Sequence, residues 1–197
     1  MQGCLNISEP SPAEIKMYLA RWNANDEYKN PEDALIKLFK STYPLNDDLL
    51  HVLTKVYMLN HAYSAGVRLP DVVTLSKHIL ELNFDDDVGS GQLRIVDKIR
   101  QSPRVSSNYY SFATKYCSFH NPETFPMYDS RIVRMLTYFR RQSNKEGSRF
   151  SDFVQDDLHN YGTFFDVIYD FRKFYRLEAF SFREIDKYLW LKYEDVF

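Results

Sequence analysis

Five times this chain repeats the same helix-opening grammar. Ser11-Pro12-Ala13-Glu14, Asn30-Pro31-Glu32-Asp33, Asn46-Asp47-Asp48, Leu69-Pro70-Asp71 and Ser181-Phe182-Arg183-Glu184 each set a capping residue, a proline or an acid ahead of an apolar repeat. Such side chains satisfy the free N–H groups of a first helical turn, and a proline there gives up only a donor that has no partner anyway. The apolar residues that follow recur every three or four positions. Examples are Ile15, Tyr18, Leu19 and Trp22; Val52, Leu53, Val56 and Leu59; Val72, Leu75, Ile79 and Leu82; and Ile185, Leu189 and Trp190. That is the period of a helix with one buried face. No segment alternates as a half-buried strand does, and no internal repeat is present. The expectation is an all-α fold of about ten helices joined by short loops.

The stops are readable too. Asn23-Ala24-Asn25 breaks the first helix, Tyr43-Pro44 ends the second, and Gly66 is a natural cap for a long helix over residues 49–65. Asp85-Asp86-Asp87 followed by Gly89-Ser90-Gly91 reads as a solvated turn. It lacks the alternating ligands and terminal Glu of a calcium loop. Residues 93–99 form a short amphipathic helix, Pro103 to Asn108 a polar turn, and residues 140–149 a basic linker. From Phe150 onward the chain is helical and aromatic.

Composition narrows the function classes. Cys4 and Cys117 are too few for a disulfide framework, and no apolar run is long enough to span a bilayer. No secretory signal is evident, so the expectation is a soluble, cytoplasmic monomer. Fifteen Tyr, fifteen Phe and two Trp exceed what a small core needs, which leaves some rings for a groove or pocket. Net charge is −2, yet residues 91–150 hold eleven Lys and Arg against four acids. The rest of the chain holds fourteen against twenty-three. A polyanion would therefore meet the middle of the chain.

The stretch from Ser111 to Arg134 concentrates the chemistry. Ser111, Phe112, Tyr116 and Phe119 fall at helical spacing, Asn121-Pro122 ends that helix, and Tyr128-Asp129-Ser130 opens the next. Asp129 is at least an N-cap. In an aromatic pocket beside cations, a carboxylate can also stabilise a developing cation or activate water. Cys117 and His120 lie three apart, but further metal ligands would have to come from scattered His51, His61, His78 or His159, so no metal and no cofactor is expected. Nucleophile elbows and phosphate-binding glycine loops are absent.

The order Ala113-Thr114 through Phe125-Pro126-Met127-Tyr128-Asp129-Ser130-Arg131-Ile132 resembles the core of the helix-hairpin-helix (HhH-GPD) DNA glycosylases. Asp129 overlays their catalytic aspartate without a gap. Two positions depart from the pattern. Ser106-Ser107-Asn108-Tyr109 stands where the family carries hairpin glycines, and Ser111 stands where bifunctional members carry a Schiff-base lysine, with Lys115 one turn later. The four cysteines of the family's iron–sulfur cluster are lacking. The resemblance implies a two-lobed helical bundle, with lobes at residues 1–90 plus 150–197 and at residues 91–149. It implies a monofunctional enzyme that flips a base from double-stranded DNA and leaves an abasic site. In this reading Asp129 is catalytic. Asn60, Tyr63, Tyr109, Tyr110 and His120 line the base pocket, while Arg104, Ser107, Asn108, Lys115, Arg131 and Arg134 meet the DNA backbone. The YSFATKYCSFHNP and REIDKYLW segments further resemble a divergent bacterial group. Some of its members act in phage defence on hypermodified bases, such as glucosylated cytosine. Two other readings stay open: a DNA-binding module that has lost the chemistry, and a helical protein-interaction domain.

Overall fold

A computed structural model describes residues 7–102, 105, 107–145, 147 and 149–197. Among them are ten α-helices and no strand, and no helix is long and apolar enough to cross a membrane. The chain divides into two compact units, Asp26–Tyr128 and Met1–Asn25 with Asp129–Phe197. These units meet at residues 25/26 and 128/129, while the lobes that the resemblance implies divide at 90/91 and 149/150. The physical reason is packing: α6 and α7 below share the core of the middle unit, and α8 packs on α10.

The middle unit holds α2 (Asp26–Lys37), a π-helical turn (Leu38–Thr42), α3 (Leu49–Tyr63) and a 3-10 turn (Leu69–Asp71). It continues through α4 (Val72–Leu82), α5 (Asp85–Gly89), α6 (Arg94–Arg100) and α7 (Tyr110–His120). Helix α7 is the one around which the unit is built. Nine of its eleven residues, Tyr110 and Phe112 through Phe119, are buried, and it packs on α3, α5, α6 and the π-turn.

Three expectations are corrected here. Helix α2 begins at Asp26 and runs through Pro31, because Asp26 and Glu27 already supply a favourable acidic first turn and the proline removes only one ladder bond. Helix α3 stops at Tyr63, with Ser64 rather than Gly66 taking the left-handed cap at φ 45°. The Asp85–Asp87 run is the short helix α5 rather than a solvated turn, and the Asp85 carboxylate accepts from the backbone and side chain of Asn46. Gly91 is needed where it stands: φ is +76°, and a Cβ would sit 2.9 Å from Thr124 Cγ2.

The flanking unit holds α1 (Pro12–Asn23), α8 (Ser130–Lys145), a 3-10 turn (Gln155–His159), α9 (Tyr161–Phe174) and α10 (Phe182–Val196). The predicted caps form. Ser11 Oγ accepts from Glu14 N, and Ser181 with Glu184 makes a full capping box. Helix α1 is pinned to α10 by polar contacts at its buried face. Tyr188 donates to Glu14 at 2.8 Å, Tyr18 donates to Asp195 at 2.7 Å, and Lys192 pairs with Glu14. Helix α8 extends to Lys145, so residues 140–145 are helical and not linker. Phe139, Phe150, Phe171, Phe174 and Tyr175 form one aromatic cluster that ties α8 to α9.

Candidate functional site

The loop between α7 and α8 sets the geometry of Asp129. Phe125, Pro126 and Met127 are buried, and the amides of Thr124 and Phe125 bond back to Asn121 O. The backbone of Tyr128 is then gripped from both sides by α7. Its N–H donates to Thr114 Oγ1 at 3.0 Å. Its carbonyl accepts from Lys115 Nζ at 2.9 Å and from Ser111 Oγ at 3.2 Å, and Lys115 also donates to Ser111 Oγ at 2.6 Å. The Tyr128 ring lies 4.6 Å from that of Tyr110, and the Arg100 guanidinium lies 4.7 Å from the Tyr110 ring.

Asp129 follows directly. It is half-buried, and its Oδ1 accepts from Arg131 N at 3.0 Å while its backbone carbonyl accepts from Val133 N. This is N-cap geometry, as the sequence predicted. Arg131 and Arg134 stand on the first two turns of α8. Arg131 lies 4.5 Å over Trp190 and pairs with Glu194, and Arg134, exposed, donates to the Tyr193 hydroxyl at 2.9 Å.

The other expected site residues are spread over separate groups in the middle unit. Asn60 clamps a turn: its amide donates to Val67 O and accepts from Val67 N, both at 2.9 Å. With Tyr57, His61, Ser64, Val67 and Leu69 it lines a cleft of about 420 Å³. Tyr63 packs edge-on against Phe119. The Tyr109 hydroxyl donates to Asp71 Oδ2, the same oxygen that Arg68 holds at 2.6 Å. Tyr110 belongs to the Tyr128 corner, and burial pushes its phenol well above the ordinary range. Ser107 is half-buried and Asn108 exposed, and Arg104 lies outside the described residues. Lys115 is 2% exposed, and its ammonium is turned inward on Tyr128 O.

His120 belongs to a buried hub that the sequence did not reveal. Asn46 Oδ1 accepts from Lys55 Nζ at 2.7 Å and from Tyr116 OH at 2.5 Å. Its Nδ2 donates to Asp85 Oδ1 at 2.5 Å and faces His120 Nε2 at 3.3 Å. Turning the amide over would set its oxygen against the Asp85 carboxylate and its NH2 against the Lys55 ammonium. The observed orientation therefore makes Nε2 the unprotonated nitrogen of a neutral imidazole. Burial, then Lys55 and Lys40, hold the His120 pKa well below its usual value. Burial lowers Lys55 to about 8, with Asp85 and Asp47 opposing the shift. One signal for this hub was readable: Lys55 sits between Val52, Val56 and Leu59 on the apolar face of α3. Cys117 is buried and unpaired in any disulfide, with its thiol pushed up by burial. Among the described residues no three His, Cys, Asp or Glu side chains gather as a metal set.

These features define an all-α protein of two helical units, with an N-capping acid heading the first helix after the middle unit. The chain belongs to the HI_0787_N family, described as an N-terminal domain, which matches residues 14–124. A Haemophilus influenzae protein described as "Uncharacterized protein" is 35% identical over 159 residues, which span 79% of this chain and 73% of that protein. No solved structure matches.

Proposed function

We propose that the chain is a monofunctional DNA glycosylase of the helix-hairpin-helix type, acting on a modified base in double-stranded DNA and using Asp129. The observation that carries this reading is the treatment of the residue before the acid. A cap alone needs only its own side chain on the first turn. Here Lys115 and Ser111 of α7 fix the Tyr128 carbonyl of the peptide group that leads into Asp129, and Thr114 fixes the peptide group before it. Preorganisation of that kind is what stabilising a transient cation requires.

In this mechanism the target nucleotide leaves the stack, and its N-glycosidic bond breaks with the electron pair passing to the base nitrogen. The Asp129 carboxylate faces the oxocarbenium-like sugar and orients a water molecule. The water oxygen bonds to C1′, and its proton passes through the carboxylate to the departing base. Hydroxyl thus ends on the sugar and hydrogen on the base. Arg131 and Arg134, with Ser107 and Asn108, meet phosphates. Hypermodified bases of phage DNA, glucosylated cytosine among them, are the proposed substrate class, with a role in phage defence or base-excision repair.

The test is a mass-spectrometric screen for nucleobases released from several phage DNAs, with abasic sites counted in parallel. Release of one modified base with matching abasic sites is expected. A second reading, a DNA-binding module without chemistry, is favoured by the absence of glycine at Ser107, Asn108 and Tyr109. Tight, salt-dependent DNA binding with no base release from any of the DNAs would select it.

A further inference from the structure

We infer that Lys115 is a positioning residue for Asp129: a buried ammonium that locks the Tyr128–Asp129 peptide plane, neither a phosphate contact nor a covalent nucleophile. This rests on the glycosylase reading for its consequence in catalysis, but not for its geometry.

A lysine on a helix buried at nine of its eleven positions has to bring a partner with it, because an unpaired charge in such surroundings is strongly unfavourable. Lys115 is 2% exposed and spends its donors inward, on Tyr128 O at 2.9 Å and Ser111 Oγ at 2.6 Å. Ser111 in turn reaches Tyr128 O at 3.2 Å, so one carbonyl is held by an ammonium directly and by a hydroxyl beside it. That carbonyl belongs to the peptide group whose nitrogen is Asp129 N. Because the group is planar and stiff, fixing the carbonyl fixes the first backbone bond of Asp129. Thr114 fixes the other side of Tyr128 through its N–H at 3.0 Å. The lysine one turn after Ser111 thus acts on the acid through the backbone.

The arrangement also explains why Lys115 suits neither alternative role. A phosphate contact needs an ammonium in solvent, and this one is enclosed. A Schiff-base nucleophile needs an amine that a sugar carbon can reach, and this nitrogen is enclosed and turned inward on Tyr128 O and Ser111 Oγ.

The experiment compares Lys115→Met, which keeps length and apolar packing, with Lys115→Gln, which keeps a donor without charge. Circular dichroism checks that each is folded. Three quantities are read: amide hydrogen exchange at residues 129–131, single-turnover base release from modified DNA, and the salt slope of DNA binding. For K115M we expect exchange at those amides to rise at least about tenfold and base release to fall at least about tenfold. DNA affinity and its salt slope should match the unmodified protein. K115Q should lie between the two proteins on both exchange and rate.

A salt slope lowered by about one in K115M, with exchange unchanged, overturns the inference and makes Lys115 a phosphate contact. Borohydride trapping of DNA on Lys115 overturns it as well. If exchange rises as expected while no protein releases a base, the positioning role stands and the glycosylase reading falls.

Discussion

Lys55 makes the pH dependence of folding predictable in sign and in size. Its ammonium is fully buried and held near pKa 8, against 10.5 for an ordinary lysine. At this group the unfolded chain therefore binds more protons than the folded one between those values, and the Lys55 contribution to stability rises with pH across that window. For a shift from 10.5 to about 8, the gain between pH 8 and pH 10 is about 2 kcal/mol. Five other groups oppose this gain. The Cys117 thiol and the phenols of Tyr18, Tyr110, Tyr116 and Tyr188 are raised mainly by burial, so they stay protonated in the fold while the unfolded chain ionises. The two trends cancel where the unfolded thiol is half ionised, so the unmodified protein should show a maximum at about pH 9. Lys55→Met should remove the rise below that maximum and leave a continuous fall above about pH 8. Urea unfolding followed by far-UV circular dichroism at half-unit pH steps measures both limbs. A K55M protein with the same rise as the unmodified one would show that another group causes it.

On the acid side, His120 is neutral in the fold with a lowered pKa, so stability should fall as pH drops below about 6.5. His120→Gln should flatten the slope between about pH 6.5 and 5, above the range where carboxylates titrate; an unchanged slope in the same urea titration counts against the neutral-imidazole assignment. Glu14→Ala removes the counter-charge of Lys192, which is 5% exposed in its side chain and keeps only the Ser8 hydroxyl, at 2.8 Å, as a hydrogen-bond partner among the described residues. It should cost about 3 kcal/mol in urea unfolding, and a loss below about 1 would mean the pair is not a structural anchor. Gly91→Ala meets both the left-handed backbone and the Thr124 methyl, and should cost about 1–3 kcal/mol. Adding Thr124→Ser should recover part of that, so a double variant no more stable than Gly91→Ala would place the whole loss in the backbone.

What could be read from the chain was local chemistry. Ser11, Asp48, Ser181 and Asp129 cap helices because a short oxygen-bearing side chain before an apolar repeat has little else to do. Pro31 misled because the same N-terminal grammar also fits a helix that has already begun at Asp26. Residues 140–145 looked like linker because their charges hide the pattern that buries Phe139 and Ser143. The Asn46 hub needed contacts across 9, 39, 70 and 74 positions, which no local pattern carries. Its one trace, a lysine on an apolar face, recurs at Lys115. In both places the lysine is buried and bonded to a backbone carbonyl, Leu45 O for Lys55 and Tyr128 O for Lys115. A count of charges along the chain places every cation at the surface, whereas Lys55 and Lys115 occupy core positions of their helices.

The most direct test of the account is single-turnover base release by Asp129→Asn beside the unmodified protein, on whichever modified DNA the unmodified protein cleaves. Asparagine keeps an oxygen for Arg131 N, so helix α8 retains its cap while the carboxylate charge is lost. The account predicts release slowed by at least about 100-fold, with DNA affinity and the unfolding midpoint close to unchanged. Equal rates from the two proteins would contradict it and leave Asp129 as the cap of α8 alone.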